Sequence, residues 1–176
     1  MPSAMSNYAD FPQIRHDRSG RRETARWFLT RAYDLQHSGK LDDAVLCYKK
    51  SLELHPTAEA YTFLGWVYSL QYRHEAAIEE CRKAIALDPD FGNPYNDIGA
   101  YLIELGRETE AISWLTRAIT AKRYAARSFP YVNLGRVYER LGRWADAAAA
   151  YTQALRLQPE EMTSTRGLNR VKALAN

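Results

Sequence analysis

Bulky apolar side chains recur three and four residues apart along most of this chain, the spacing that lines one face of an α-helix. Tyr61, Leu64 and Tyr68 form one such set, and Tyr131, Leu134 and Tyr138 another. Small residues are interleaved with them at fixed distances. Gly65, Gly99 and Gly135 recur, with Ala32 in the equivalent place before them, and an alanine follows each twelve residues later: Ala44, Ala77, Ala111 and Ala147. Seven residues further on stands Ser51, Ala84, Ala118 or Ala154, and five beyond that Pro56, Pro89 or Pro159, with Arg123 in the third slot. The alanines are 33, 34 and 36 residues apart.

Each period reads as two helices joined by a tight turn, at Gly39-Lys40, Tyr72-Arg73, Gly106-Arg107 and Gly142-Arg143. The glycines suit a helix end that needs positive φ. Small residues let two helices approach closely, and large ones fill the space beside them. Proline stops the second helix of a period, while Pro94 and Pro130 sit where a first helical turn accepts proline. One period cannot bury its apolar face alone, so neighbours must stack. The expected boundaries are residues 25–57, 58–91, 92–127 and 128–161. The third period has no proline and is two residues longer than its predecessor, so its second helix is expected to run on through Lys122-Arg123-Tyr124-Ala125-Ala126. Leu168, Val171 and Leu174, interleaved with Arg166, Arg170 and Lys172, predict a solvating capping helix over 162–175. Residues 1–22 carry Pro2, Pro12 and Gly20 and end in a charged run, which predicts a flexible tail.

The pattern resembles the tetratricopeptide repeat, in which a bulky residue, Leu-Gly, Tyr, Ala, an aromatic, Ala and Pro follow one another over about 34 residues. The second period carries Tyr61, Leu64-Gly65, Tyr68, Ala77, Cys81, Ala84 and Pro89; the fourth carries Tyr131, Leu134-Gly135, Tyr138, Ala147, Tyr151, Ala154 and Pro159. Tyr95, Ile98-Gly99, Leu102, Ala111, Leu115 and Ala118 mark the third, and Phe28, Arg31-Ala32, Leu35, Ala44, Tyr48, Ser51 and Pro56 the first. The resemblance covers about residues 25 to 161. It implies an all-α, right-handed superhelical solenoid of four such units with a C-terminal capping helix. It also implies that side chains of each unit's first helix line a concave groove that holds a peptide or protein segment.

Carried over by position, that groove includes Tyr33, Phe63, Trp66, Asn96, Asp97, Asn133 and Arg136. Phe63 and Trp66 stand out because Tyr61, Leu64 and Tyr68 already fill the core positions of their helix. An aromatic pair off the core face is a candidate anchor for a partner's apolar side chain, or Trp66 packs on the adjacent helix and stiffens the array. Asn96, Asp97 and Asn133 can serve a peptide backbone that has lost its water, and Arg136 lies one turn from Asn133, where it could meet a carboxylate. Asn93 and Asn96, near a helix start, could equally serve as caps. Chaperone-binding members of the family grip a C-terminal carboxylate with Lys, Asn, Asn, Lys and Arg. The matching positions here hold Leu29, Tyr33, Phe63, Asn93 and Asp97, or one unit later Thr62, Trp66, Asp97, Phe129 and Asn133. Asp97 would repel an acidic tail, so that use is not expected.

Composition narrows the remaining classes. A net charge of +3, from 24 Lys and Arg against 21 Asp and Glu, gives little pull toward nucleic acid or an anionic membrane. The stretch Arg117–Arg143 does interleave basic and aromatic residues, as single-strand binders do, yet Tyr131 and Tyr138 are core positions and Glu139 dilutes the charge. No apolar run is long enough for a membrane span, and no secretory leader is visible, so the expected address is the cytoplasm. His16, His37, His55 and His74 do not pair with other ligands at metal spacing, and no phosphate loop or nucleophile motif occurs. No catalytic residue, metal or cofactor is expected. Cys47 and Cys81 are expected as free, packed thiols. The partner is expected to be a protein or extended peptide. Self-association is the alternative, with Phe11 and Ile14 of the tail entering the groove of the same chain or a second copy.

Overall fold

The computed structural model describes residues 18–174. Among them the backbone forms nine helices: α1 (Arg18–His37), α2 (Leu41–Leu54), α3 (Ala58–Leu70), α4 (His74–Leu87), α5 (Asn93–Glu104), α6 (Glu108–Thr120), α7 (Ser128–Arg140), α8 (Trp144–Leu157) and α9 (Met162–Leu174). The chain divides into two compact units, Met1–Pro56 and Thr57–Asn176.

In the first unit α1 and α2 fold back on each other around Ala32, Ala44 and Tyr48, all fully buried. Burying a tyrosine requires a partner for its hydroxyl, and that of Tyr48 donates to Gln36 Oε1 at 2.8 Å. Ser51 Oγ likewise donates to the Ala25 carbonyl at 2.8 Å, tying the end of α2 to the early turns of α1. The helix starts earlier than the residue pattern implied. Residues 18–22, assigned to the tail, are helical, and the Thr24 hydroxyl donates to the Gly20 carbonyl at 2.8 Å. Thr24, Ala25 and Phe28 are buried along this stretch, which anchors it. Residues 1–17, including Phe11 and Ile14, lie outside the described residues.

The second unit stacks α3 with α4, α5 with α6 and α7 with α8, and α9 lies against α7 and α8. Its tight turns share one construction. A residue with positive φ follows the first helix, and the next amide closes the turn by donating five residues back. The bonds are Arg73 N to Tyr68 O at 2.9 Å, Arg107 N to Leu102 O at 2.8 Å and Arg143 N to Tyr138 O at 2.8 Å. Gly106 (φ 71°) and Gly142 (φ 68°) adopt that geometry freely, whereas Tyr72 adopts it at φ 60° with a side chain. The glycines inside the first helices answer a different need, close packing. A Cβ on Gly135 would lie 2.4 Å from the fully buried Tyr151 ring.

The third period departs from the expected helical extension. α6 ends at Thr120, and Ala121 is already extended at φ −61°, ψ 136°. Residues 121–127 instead form a loop stitched to the α4–α5 connection, where Arg123 N donates to Asp90 O at 2.9 Å and Gly92 N to Arg123 O at 3.1 Å. Tyr124 drops into a cluster with Tyr95, Ala118 and Ala121, flanked by Ile85 and Trp114. The Arg127 guanidinium then donates to the carbonyls of Ile119 and Ala121, satisfying groups that the end of α6 leaves free. Burial of Tyr124 and this capping outweigh the helix propensity of the alanines.

Candidate functional site

The first helices of the pairs in the second unit, α3, α5 and α7, touch one another in sequence, and α9 follows α7. The polar residues singled out from the sequence lie along these contacts, which gives three seams to compare.

The α5–α7 seam is closed by amides. Asn133 Nδ2 donates to Asn96 Oδ1 at 3.0 Å. On the Asn133 carbonyl side, the Arg136 guanidinium donates to Oδ1 at 3.3 Å and reaches Glu104 Oε1 at 3.1 Å. One turn on, Arg140 donates to the Ile103 carbonyl at 2.7 Å and to Glu108 Oε1 at 3.2 Å. Asn96 is 9% exposed, so its bond to Asn133 is well shielded. Asn96, Asn133 and Arg136 are thus brought together, but as a mutually satisfied chain that joins neighbouring helices.

The α7–α9 seam is ionic. Glu139 accepts from the Tyr151 hydroxyl at 2.9 Å and from Arg170, whose Nη2 lies at 2.8 Å. The Arg170 guanidinium holds the Glu139 carboxyl below its ordinary pKa, and the same bond raises that of Arg170. Arg136, Arg140, Arg170, Glu139, Trp144 and Leu174 border a depression of about 410 Å³ on this side.

The α3–α5 seam differs. Asp97, which stands in α5 where Asn133 stands in α7, receives among the described residues a single long hydrogen bond, from Asn96 Nδ2 at 3.4 Å. Among the described residues no lysine, arginine or histidine forms an ion pair with it. It is half-buried, and loss of hydration pushes its pKa up to about 7, with the Asn96 bond opposing. The same face of α5 carries Tyr101 one turn later, in hydrogen-bonding reach of Ser69 on α3 and beside the His74 ring with centroids 6.2 Å apart. Burial pushes the Tyr101 phenol and the Cys81 thiol up.

The aromatic candidates divide by exposure. Trp66 on α3 is 39% exposed and Phe129 on α7 is 50% exposed, while Phe63 is half-buried. Leu64 and Tyr68 fill the core side of α3 at 2% and 4% exposure. Tyr33 belongs to the first unit, where its ring lies 4.0 Å from that of His37 between centroids.

Several anchoring residues escaped the sequence reading: Arg123, Glu139 and Arg170 above all. Arg123 forms ion pairs with Glu59 at 2.8 Å and Asp88 at 2.5 Å and lies over the Phe91 ring, with 4.2 Å from guanidinium carbon to centroid. A signal for part of this was present. Arg107–Glu75, Arg136–Glu104 and Arg140–Glu108 are each separated by 32 residues, and Arg170–Glu139 by 31. Opposite charges one period apart, less a couple of residues, mark bridges between successive pairs. The basic stretch that hinted at nucleic acid is engaged in the same way, for Lys122 meets Asp90 at 3.2 Å and Arg127 meets backbone carbonyls.

Among the described residues no group of three or more His, Cys, Asp or Glu could hold a metal ion, and no helix is long and apolar enough to cross a membrane. Stacked helix pairs, joined by polar and ionic bridges between their first helices, define a helical-repeat scaffold. Family models described as tetratricopeptide repeat match residues 29–90 and 91–160, and the chain belongs to that family. The family is in general a non-enzymatic, protein-interaction fold.

Among relatives, a type IV pilus assembly protein of Pseudomonas aeruginosa, PilF, is 30% identical over 139 residues, which is 78% of this chain and 55% of that protein. The chain therefore spans about half the length of that relative. A small glutamine-rich tetratricopeptide-repeat protein of Mycosarcoma maydis is 33% identical over 70 residues, 39% of this chain and 20% of its own length. A solved structure of the Pseudomonas aeruginosa pilF product superposes with a TM-score of 0.82 at 27% identity, covering 89% of this chain and 71% of that one.

Proposed function

We propose that the protein is a non-catalytic scaffold that holds an extended segment of another protein along α3, α5 and α7. The observation that carries this reading is the exposure of Trp66 on a helix whose core positions are already occupied. A large aromatic left 39% exposed is the kind of side chain that anchors a partner. Exposed Phe129 on α7 offers a second contact along the same succession of helices. Asn96, Asn133 and Arg136 serve this function indirectly, by fixing the helices between the two aromatics. The relation to a pilus assembly protein makes pilus-assembly components the first partners to test. The cytoplasmic address expected from the sequence is part of the same proposal, and cell fractionation checks it.

The test is affinity purification from the native extract with wild type and Trp66→Ala, after circular dichroism has established equal helicity. A protein retained by wild type and lost at least about tenfold with Trp66→Ala supports the reading. Equal retention by both removes Trp66, and with it this surface, from the function.

A further inference from the structure

Carboxylates at the joins of the second unit follow a rule with one exception. Glu59 is covered by Arg123, Glu104 by Arg136, Glu108 by Arg140 and Glu139 by Arg170. Among the described residues Asp97 has only the Asn96 amide, at 3.4 Å. A carboxylate withdrawn from water without a cation is unfavourable, and proteins ordinarily avoid it by pairing or by neutral substitution. The neutral alternative stands one period away in this same chain. Asn133 occupies the register position in its unit that Asp97 occupies in the preceding one, and it bonds across its seam to Asn96. The position equivalent to Asn96 one period earlier is Thr62, whose hydroxyl is committed to the Ala58 carbonyl at 2.8 Å. The α3–α5 seam thus offers Asp97 no donor in the role Asn96 and Asn133 fill for each other.

We propose that Asp97 receives the ammonium or guanidinium group of a lysine or arginine carried by the bound segment, so that the scaffold selects one basic side chain in an extended ligand. This rests on the peptide-binding reading above and names the chemistry of its ligand. Asp97 remains half-buried rather than sealed, so a long flexible side chain can reach it. Trp66 lies one turn along α3 from Thr62, and an exposed indole is a favourable neighbour for a cation and for the alkyl stem that bears it. The acidic tail gripped by chaperone-binding relatives would be repelled at the same place.

Among the described residues no positive group forms an ion pair with Asp97. The ionisable groups that interact with Asp97 are Cys81 on α4, Tyr101 on α5 and Tyr124 in the 121–127 loop. Burial raises all three, which keeps them neutral around pH 7. The α3 charge Glu59 is held by Arg123, the α7 charge Arg136 by Glu104 and Asn133, and on α4 the His74 ring lies beside that of Tyr101. Binding of a cation favours the ionised carboxyl, so affinity for a basic ligand should fall below pH 7 as Asp97 takes up a proton.

A randomised heptapeptide library displayed on phage, selected at pH 8 against the full chain, against Asp97→Asn and against Trp66→Ala, tests this. Enrichment of Lys or Arg at one fixed position on wild type is expected, and its loss on Asp97→Asn. A synthetic peptide from the selection should bind wild type about tenfold more tightly than Asp97→Asn. Replacing its basic residue by Gln should cost the same factor on wild type and nothing on the variant. Selected peptides without a basic preference, or bound equally by Asp97→Asn, would overturn the assignment while leaving peptide binding intact. If wild type selects no peptide at all, the peptide-binding reading falls first and this assignment with it.

Discussion

The α5–α7 and α3–α5 seams are built from the same register positions and reach opposite states. At α5–α7 two asparagines meet, Asn133 donating to Asn96 at 3.0 Å, and Arg136 completes the chain to Glu104. Every strong polar group there has its partner within the protein, as shielded groups require. At α3–α5 the equivalent positions hold Asp97 and Thr62, and the carboxyl is left with one 3.4 Å bond. A self-satisfied seam holds a repeat array together and offers little to a ligand. An unsatisfied one lowers stability and keeps free energy available for binding, a trade often made at functional positions.

The largest effect should come from making the open seam resemble the closed one. Desolvation pushes the Asp97 pKa from an ordinary 3.8 up to about 7. Below the lower value both folded and unfolded chains carry the proton, and the shift has no effect. Between the two, the folded chain binds a proton that the unfolded chain has released, so stability falls as pH rises through this window and the loss is complete above about 7. Asp97→Asn removes the ionisation without changing shape. We expect it to stabilise the protein by about 1–3 kcal/mol at pH 8, the range allowing for water at the half-exposed carboxyl, and by almost nothing at pH 4. Urea unfolding at the two pH values measures this; equal effects at both would mean that Asp97 is hydrated or already paired.

Much of the scaffold was legible because its signal is repetitive. Small residues at fixed offsets, such as Gly99 facing Leu115 and Gly135 facing Tyr151, report helix–helix distance directly. The turns were legible for the same reason, even at Tyr72, where position in the period prevailed over residue type. Departures from the repeat were less readable. The alanines after Thr120 favoured helix, and only the burial of Tyr124 and the reach of Arg127 to the α6 carbonyls made a loop the better solution. Residues 18–22 read as a charged tail because the exposed Arg21 and Arg22 mask the anchoring role of Gly20 and Thr24. At the candidate site, sequence located Asn96, Asp97 and Asn133 but could not tell ligand-facing amides from amides that face each other. That distinction depends on which donor meets which acceptor, and here Asn96 and Asn133 meet each other.

Breaking the closed seam should have a smaller effect of opposite sign. Asn133→Ala leaves Asn96 Oδ1 without its 3.0 Å donor in a position only 9% exposed. The expected destabilisation is about 1–2 kcal/mol, the usual consequence of stranding a shielded acceptor. Unlike the Asp97 effect it should be the same at pH 5 and pH 8, since neither asparagine titrates. A neutral result would mean that water replaces the Asn133 amide and that the two seams are less different than their geometry implies.

The smallest effect should come from the ions that border the closed seam. Arg136 and Glu104 are 37% and 48% exposed, and pairs of that kind contribute only about 0.2–1 kcal/mol. Arg136→Met keeps the stem packed while removing the bonds to Glu104 and to Asn133 Oδ1. We expect a loss of about 0.5 kcal/mol in dilute buffer that shrinks when salt is raised to about 0.5 M, because exposed charges are screened. The Asn133–Asn96 bond, being neutral and shielded, should hold the seam in both conditions. A loss of more than about 1.5 kcal/mol that persists in high salt would assign the seam to Arg136 instead. The contrast between the seams would then lie in the presence or absence of an arginine, and Ala100→Arg, three residues after Asp97 as Arg136 is after Asn133, would be the way to close the open one.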